Sequence, residues 1–145
     1  MSGNNGKDVP LLSQQLCFAL YATSRAFTKL YAKLLTDLGV TYPQYLVLMV
    51  LWEEDGQSIH GIAQKLELEA ATVTPLVKRM ESLELLLRKR SREDERRIEV
   101  RLTPKGSSMR EKANDISQAV GCAIGVDSEQ VQKLLNKLNA LRANL

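Results

Sequence analysis

The strongest constraint in this sequence is a change of hydrophobic period between residues 66 and 102. Apolar residues first recur every three or four positions, which predicts a helix with one buried side. These residues are Val73, Leu76, Val77, Met80 and Leu83. Further along, Ile98, Val100 and Leu102 alternate with charged residues. That alternation predicts a half-buried strand, and residues 85–87 are its predicted partner strand.

The charged run at residues 88–97 decides how the helix and hairpin are interpreted. A helix, two strands and a charged loop predict a winged helix-turn-helix, whose helix enters the major groove of DNA and whose loop reaches a neighbouring minor groove. Charged runs are usually solvated turns, so periodicity alone leaves an ordinary hairpin as an equal alternative. The distribution of charge favours DNA binding. Residues 61–112 contain thirteen Lys or Arg against nine Asp or Glu, residues 1–60 four against five, and residues 113–145 three against three.

The rest of the chain predicts a mainly α fold with six helices and the small β wing. Residues 1–10 are expected to form a disordered arm, and residues 11–145 a single domain. The first helix is predicted at residues 13–38, and the recognition helix is the fourth. The second is expected after the capping box Thr41–Gln44, the third after Ser58, the fifth at residues 103–124 and the sixth after Asp127.

Apolar stripes on the terminal helices predict a homodimer. The first helix is expected to bury Leu16, Ala19, Leu20 and Thr23. We expect about residues 11–38 and 104–145 to form a dimerisation region, and about residues 43–103 to form the winged helix-turn-helix. A second copy would bury the stripes, and a two-fold dimer matches a pseudo-palindromic operator. Packing of these helices on each other within a monomer is the alternative.

Composition narrows the class of protein. No apolar run is long enough to span a membrane and residues 1–10 do not form a signal peptide, so a cytoplasmic protein is expected. In that compartment Cys17 and Cys122 are reactive or inert rather than a permanent disulfide. No metal or cofactor is expected, because His60 is the only histidine and is expected at the surface.

Cys17 is the candidate reactive group. It lies early in the first predicted helix, about one turn after Ser13, where backbone N–H groups favour the thiolate that reacts with peroxides. Tyr21 shares its helix face and can donate a hydrogen bond to that thiolate. Tyr31 is roughly 21 Å along the helix axis, so it can serve Cys17 only from a second subunit. On spacing alone, an inert core cysteine is the more common case.

Three motifs in the predicted DNA-binding region resemble the MarR family of winged-helix transcription regulators. They are residues 72–81 (TVTPLVKRME), residues 92–96 (REDER) and residues 102–106 (LTPKG). In such a regulator Thr72, Thr74 and Lys78 are expected at base edges or phosphates, and Arg79 at the helix or a phosphate. Arg92 and Arg96 are expected in or beside the minor groove, with Asp94 as an ionic brace for a wing arginine. Glu84 stands where the family usually has glycine.

Residues 17–21 (CFALY), Tyr31 and residues 41–45 (TYPQY) further resemble the branch of this family that senses organic hydroperoxides. The resemblance implies that Cys17 reacts with the peroxide and that Tyr31 and Tyr42 of the partner subunit hold its thiolate. In branch members with two cysteines, the second resolves the oxidised first as an intersubunit disulfide. That role falls on Cys122, for which plain packing is the alternative.

The expected protein is therefore a homodimeric repressor that organic hydroperoxides release from double-stranded operator DNA. One alternative is a MarR-type repressor released by a small aromatic or phenolic ligand, with both cysteines incidental. An alternative of another class is a thiol peroxidase. The absence of an obvious loop for binding an electrophile argues against an enzyme.

Overall fold

The computed structural model describes residues 9–145, so most of the predicted arm at residues 1–10 lies outside the described residues, and Val9 and Pro10 are exposed. The helices are α1 (Leu16–Leu34), α2 (Tyr42–Glu53), α3 (Ile59–Leu66), α4 (Ala70–Ser82), α5 (Pro104–Ser108), α6 (Ala113–Ile124) and α7 (Ser128–Ala143). The strands are β1 (Leu86–Arg90) and β2 (Ile98–Leu102). This confirms the predicted mainly helical fold with a small wing. The predicted fifth helix is present as α5 and α6, separated by the 3-10 turn Met109–Lys112.

α2 lies at the centre of the hydrophobic core. The predicted capping box is present, because Gln44 N–H donates to Thr41 Oγ1 at 3.4 Å and Thr41 N–H donates to Gln44 Oε1 at 3.0 Å. Pro43 sits in the first turn, where no helical hydrogen bond is lost. One side of the helix, with Met49 and Glu53, is exposed. The buried apolar residues cover most of the rest, and they are Tyr45, Val47, Leu48, Val50 and Leu51. The predicted burial of this helix is therefore confirmed for most of its apolar residues, although Met49 is exposed.

α3 and α4 form the helix-turn-helix. Ser58 caps α3 as predicted, with its Oγ accepting from Gly61 N–H at 3.0 Å. Glu67 ends α3 in the left-handed conformation, which turns the chain into α4. The predicted stripe on α4 is confirmed for its three buried residues, Val73, Val77 and Met80. It is wrong for Leu83, which is 37% exposed because it follows the last helical residue and leaves the helical period.

The wing differs from its prediction in where the strand ends and the loop begins. β1 continues from Leu86 to Arg90, so the loop comprises residues 91–97. The register runs from Leu86 opposite Leu102 to Arg90 opposite Ile98, which gives every residue of β2 a partner. Val100 is fully buried, but Ile98 is 52% exposed because it pairs at the loop end of the hairpin. The predicted alternation therefore holds only near the base of the wing.

The base of the wing is joined to the helical core by the motif at residues 102–106. Thr103 Oγ1 accepts from Gly106 N–H at 3.1 Å and donates to Glu84 O at 2.6 Å. Trp52 Nε1 donates to Gly106 O at 3.0 Å. A Cβ atom on Gly106 would overlap the carbonyl oxygen of Leu85. A glycine at 106 therefore lets α5 approach the wing closely enough for these bonds to form.

The terminal helices start and pack differently from their prediction. Leu12–Gln14 forms a 3-10 turn, and α1 begins after Gln15, so the helix starts later than the predicted residue 13. Residues beyond Leu34 continue as a second 3-10 turn, Thr36–Leu38, which ends at Gly39 in the left-handed conformation. The expectation that the first helix buries Leu16, Ala19, Leu20 and Thr23 is wrong for a single chain, where all four are exposed. α7 buries none of its residues, although Asp127 caps it as predicted.

We expect Gly106→Ala to destabilise the protein by about 1–3 kcal/mol, because the added methyl group forces the backbone of α5 away from Leu85. Thermal unfolding followed by circular dichroism measures the change. Gly121→Ala in α6 is the matched control, since a Cβ atom there meets nothing within 4 Å. The control should keep or raise the melting temperature, and equal losses in both variants would contradict the proposed close approach.

Candidate DNA-binding surface and cysteine site

The exposed side of α4 carries the predicted groove-reading residues. Thr72, Lys78 and Arg79 are exposed and Thr74 is half-buried. Thr74 Oγ1 donates to Ala70 O at 2.9 Å, so its proton is already used within the helix. Thr72 and the two cations therefore remain the better placed groups for contacts outside the chain.

Hydrogen bonds within the loop fix the shape of the wing. Ser91 is buried; its N–H donates to Arg97 O at 2.7 Å and its Oγ accepts from Glu93 N–H at 3.2 Å. Asp94 Oδ1 accepts from Arg96 N–H at 3.0 Å. From the sequence, Asp94 is expected to form an ion pair with a wing arginine. The Asp94 carboxylate instead stabilises a turn by accepting a hydrogen bond from the backbone of Arg96. Across residues 9–145, no ion pair joins Asp94 to an arginine.

Arg92 and Arg96 extend from this ordered loop into solvent. Within the described part of the chain, neither guanidinium takes part in an ion pair. Beside them, Lys89 and Arg90 help to line a cleft of about 440 Å³ on the wing, which also contains Glu93 and an ion pair of Arg101 with Glu99 at 2.8 Å. The wing thus presents a concentration of cations of the kind that binds phosphates.

Sequence reasoning missed one ion pair that ties α4 to the wing. Arg88 on β1 forms a bidentate ion pair with Glu81 on α4. Its Nε donates to Oε2 at 3.0 Å, and a terminal nitrogen donates to Oε1 at 3.4 Å. Arg88 N–H also donates to Oε2 at 3.2 Å. The hydrogen bonds from the Arg88 side chain hold the pKa of Glu81 below its usual range. No periodic signal finds this pair, because it joins the end of a helix to a strand.

Cys17 is the second residue of α1 and is exposed. It is therefore nearer to the start of its helix than the predicted start at residue 13 implied, which places it among the backbone N–H groups that lack helical acceptors. Cys122 lies on α6, is also exposed, and both thiols are free. A single chain thus brings together neither the two cysteines in a disulfide nor Cys17 with Tyr31, which lies about 21 Å further along the helix axis.

Tyr31 and Tyr42, by contrast, are in contact. Their rings stack with centroids 4.2 Å apart and planes inclined by 18°. Desolvation by burial raises the pKa of both phenols, so both carry their protons at neutral pH. Neither hydroxyl makes a hydrogen bond within residues 9–145. Because every buried polar side-chain atom in that part of the chain has a partner, these two unpartnered hydroxyls are not buried. The two hydroxyls are accordingly accessible and able to donate to an acceptor from outside the chain.

The remaining candidate residues have ordinary surroundings. Tyr45 is buried beside this pair and contacts Trp52 edge to face, with centroids 5.6 Å apart. Tyr21 is exposed, and the Arg25 guanidinium lies 5.7 Å from the centre of its ring. His60 is exposed on α3. Among residues 9–145, no three His, Cys, Asp or Glu side chains are grouped so as to hold a metal, and no helix is long and apolar enough to cross a membrane.

A helix-turn-helix followed by a basic two-stranded wing defines a DNA-binding regulator of the winged-helix class. Residues 29–116 match the family model described as transcriptional regulator SarA/Rot. The organic hydroperoxide resistance transcriptional regulator of Bacillus subtilis is 44% identical over 90% of this chain and 86% of its own length. The HTH-type transcriptional regulator TtmR of Methylorubrum extorquens is 41% identical over 100% of this chain and 74% of its own.

The chain is also similar to solved structures of AbfR, a protein of Staphylococcus epidermidis. The reduced, DNA-bound form is 33% identical over 92% of this chain and 93% of that one, with a TM-score of 0.75. The disulfide form is 35% identical over 90% and 91%, with a TM-score of 0.64. The chain therefore belongs to the MarR family of winged-helix transcription regulators. Within that family it belongs to the organic hydroperoxide resistance regulator branch.

We expect Arg92→Gln and Arg96→Gln each to flatten the dependence of log K on log salt concentration by about 0.9, because each variant loses one contact with DNA phosphate. Fluorescence anisotropy of a labelled duplex at several salt concentrations measures the slope. Lys137→Gln removes the same charge from α7, outside the wing, and should leave the slope unchanged. Slopes equal to that of the unaltered protein in both wing variants would contradict the assignment.

Proposed function

We propose that this protein is a homodimeric repressor whose operator binding is ended when an organic hydroperoxide oxidises Cys17. The observation that carries the proposal is the stacked pair Tyr31 and Tyr42, whose hydroxyls are accessible and make no hydrogen bond within residues 9–145. Such phenols can hold a thiolate, and the chain's own Cys17 is out of their reach. The acceptor we assign to them is Cys17 of a second copy.

The uncovered apolar residues at the start of α1 support a dimer. Leu16, Phe18, Leu20 and Tyr21 are exposed around Cys17, and α7 leaves Leu134 and Leu135 exposed. A second copy that covers these faces removes apolar surface from water, which is the main favourable term in association. If the two α1 helices cross antiparallel, the start of each lies near the end of the other. Cys17 of one subunit then approaches Tyr31 and Tyr42 of its partner.

The chemistry follows from a thiolate at that crossing. The Cys17 sulfur attacks the peroxide oxygen that carries the hydrogen, the O–O bond breaks, and the alkoxide leaves and takes up a proton as an alcohol. Cys17 is then a sulfenic acid. The thiol of Cys122 from the other subunit attacks that sulfur, an S–S bond forms and water leaves. Tyr21 lies one turn from Cys17, where it can assist the thiolate from the same helix.

Release of DNA follows from the geometry that a disulfide requires. The two Cα atoms must come within about 7 Å of each other, which moves α1 and α6 when they start further apart. α1 contacts α2, and α2 contacts α4, so a movement of these helices changes the spacing of the two recognition helices. A two-fold reader that loses its half-site spacing loses specific affinity.

The relatives support this reading. The Bacillus subtilis relative is named for organic hydroperoxide resistance, and AbfR has been solved both reduced on DNA and with a disulfide formed. We extend the same cycle to this chain. As a regulator it would act in the cytoplasm on a pseudo-palindromic operator and would consume one equivalent of peroxide per Cys17 rather than turn over.

We expect one equivalent of an organic hydroperoxide to convert the protein to a disulfide-linked dimer on a non-reducing gel and to release bound DNA in the same titration. Cys17→Ser should abolish both effects. Cys122→Ser should abolish the linked dimer while Cys17 still oxidises, and mass spectrometry of the intact chain detects that oxidation.

Other outcomes would point elsewhere. A monomer band that migrates faster after oxidation would indicate a disulfide within one chain instead of one between subunits. DNA release that persists in Cys17→Ser would contradict redox sensing and favour a small aromatic or phenolic effector. Sustained peroxide consumption with a thiol reductant would favour a thiol peroxidase.

A further inference from the structure

The gap between α4 and the wing contains the ion pair described above. Glu81, Arg88, Lys89, Arg90 and Ile98 line a cleft of about 280 Å³ between the C-terminal end of α4 and the hairpin. Glu81 is the acidic member of this set, beside three cations.

This cleft lies where a strand of DNA backbone must pass. In a winged-helix complex α4 occupies the major groove and the loop occupies a neighbouring minor groove. Adjacent grooves of a duplex are separated by a sugar-phosphate backbone, so the phosphates run between helix and wing. A cation free in this cleft would bind one of them whatever the base sequence.

Arg88 is not free. Both arms of its guanidinium and its own N–H donate to the Glu81 carboxylate, at 3.0, 3.4 and 3.2 Å. These bonds use Nε and one terminal nitrogen, so a phosphate that approaches the remaining N–H groups meets a guanidinium whose charge the Glu81 carboxylate already offsets. The lowered pKa of Glu81 is consistent with a carboxylate that stays ionised in this contact.

We propose that Glu81 limits the affinity of the protein for the DNA backbone by offsetting the charge of Arg88 in the cleft between α4 and the wing. Contacts with phosphate supply nearly all of the affinity for random DNA, whereas base contacts distinguish the operator. One phosphate contact fewer therefore weakens binding to operator and random sequence alike, without touching the base-reading residues on α4. The inference rests on the DNA-binding part of the proposed function and is independent of cysteine oxidation.

Glu81→Gln tests the proposal in the full-length reduced protein. We expect log K for a random-sequence duplex to depend more steeply on log salt concentration by about 0.9, with affinity at low salt rising several-fold. Affinity for an operator, selected by the unaltered protein from a random pool, should rise by a similar factor, so the preference for operator over random sequence should stay unchanged. Glu84→Gln is the matched control, because it removes the same charge three residues away and Glu84 makes no ion pair within residues 9–145.

Two further variants separate masking from a purely structural role. Arg88→Gln should leave the slope unchanged, since a masked arginine contributes no phosphate contact. Glu81→Gln combined with Arg88→Gln should return the slope to that of the unaltered protein. The proposal fails if Arg88→Gln flattens the slope, if Glu81→Gln changes it no more than Glu84→Gln, or if both single variants weaken operator binding at an unchanged slope. Loss of salt-dependent DNA binding in the unaltered protein would instead overturn the proposed function itself.

Discussion

The stacking of Tyr31 on Tyr42 is the contact on which the rest of this account depends. Tyr31 belongs to α1, which carries Cys17, and Tyr42 is the first residue of α2, the most buried helix of the core. The capping box fixes the start of α2, and the bond from Trp52 to Gly106 fixes its other end against α5. The phenol pair therefore stands on a rigid base. In the proposed cycle, a change in what its hydroxyls bind would reach the helix-turn-helix through packed side chains rather than through a flexible loop.

The proposed DNA-binding surface depends on which cations are free to contact DNA and which are paired with carboxylates of the chain itself. Arg92 and Arg96 stand on a loop that Ser91 and Asp94 hold by backbone hydrogen bonds, so their positions are set before DNA is met. Arg88 is committed to Glu81 instead. Not every cation in residues 61–112 is therefore available to bind DNA, and a count of charges overstates the number of phosphate contacts.

Features set by neighbouring residues were predictable from the sequence, and features set by distant ones were not. The caps at Thr41, Ser58 and Asp127 follow from local side-chain chemistry, and the structure confirms all three. The extent of β1 depends on its pairing with β2, and the Glu81–Arg88 pair on tertiary folding. Glu84 at φ 60° explains the glycine usual in the family, since glycine adopts that conformation without strain. The exposed start of α1 reflects a face that one chain cannot cover.

The central claim, that the partner's phenols hold the thiolate, is tested most directly with mixed dimers in which one subunit alone retains Cys17. In one, Tyr31→Phe is on the subunit carrying Cys17; in the other, it is on the Cys17→Ser partner. Losing a hydrogen bond to a charged group costs about 1.5–3 kcal/mol, so stopped-flow oxidation by an organic hydroperoxide should be about tenfold slower or more in the second dimer. The first should react like the unaltered protein. Slowing in the first dimer, or equal rates in both, would contradict the account.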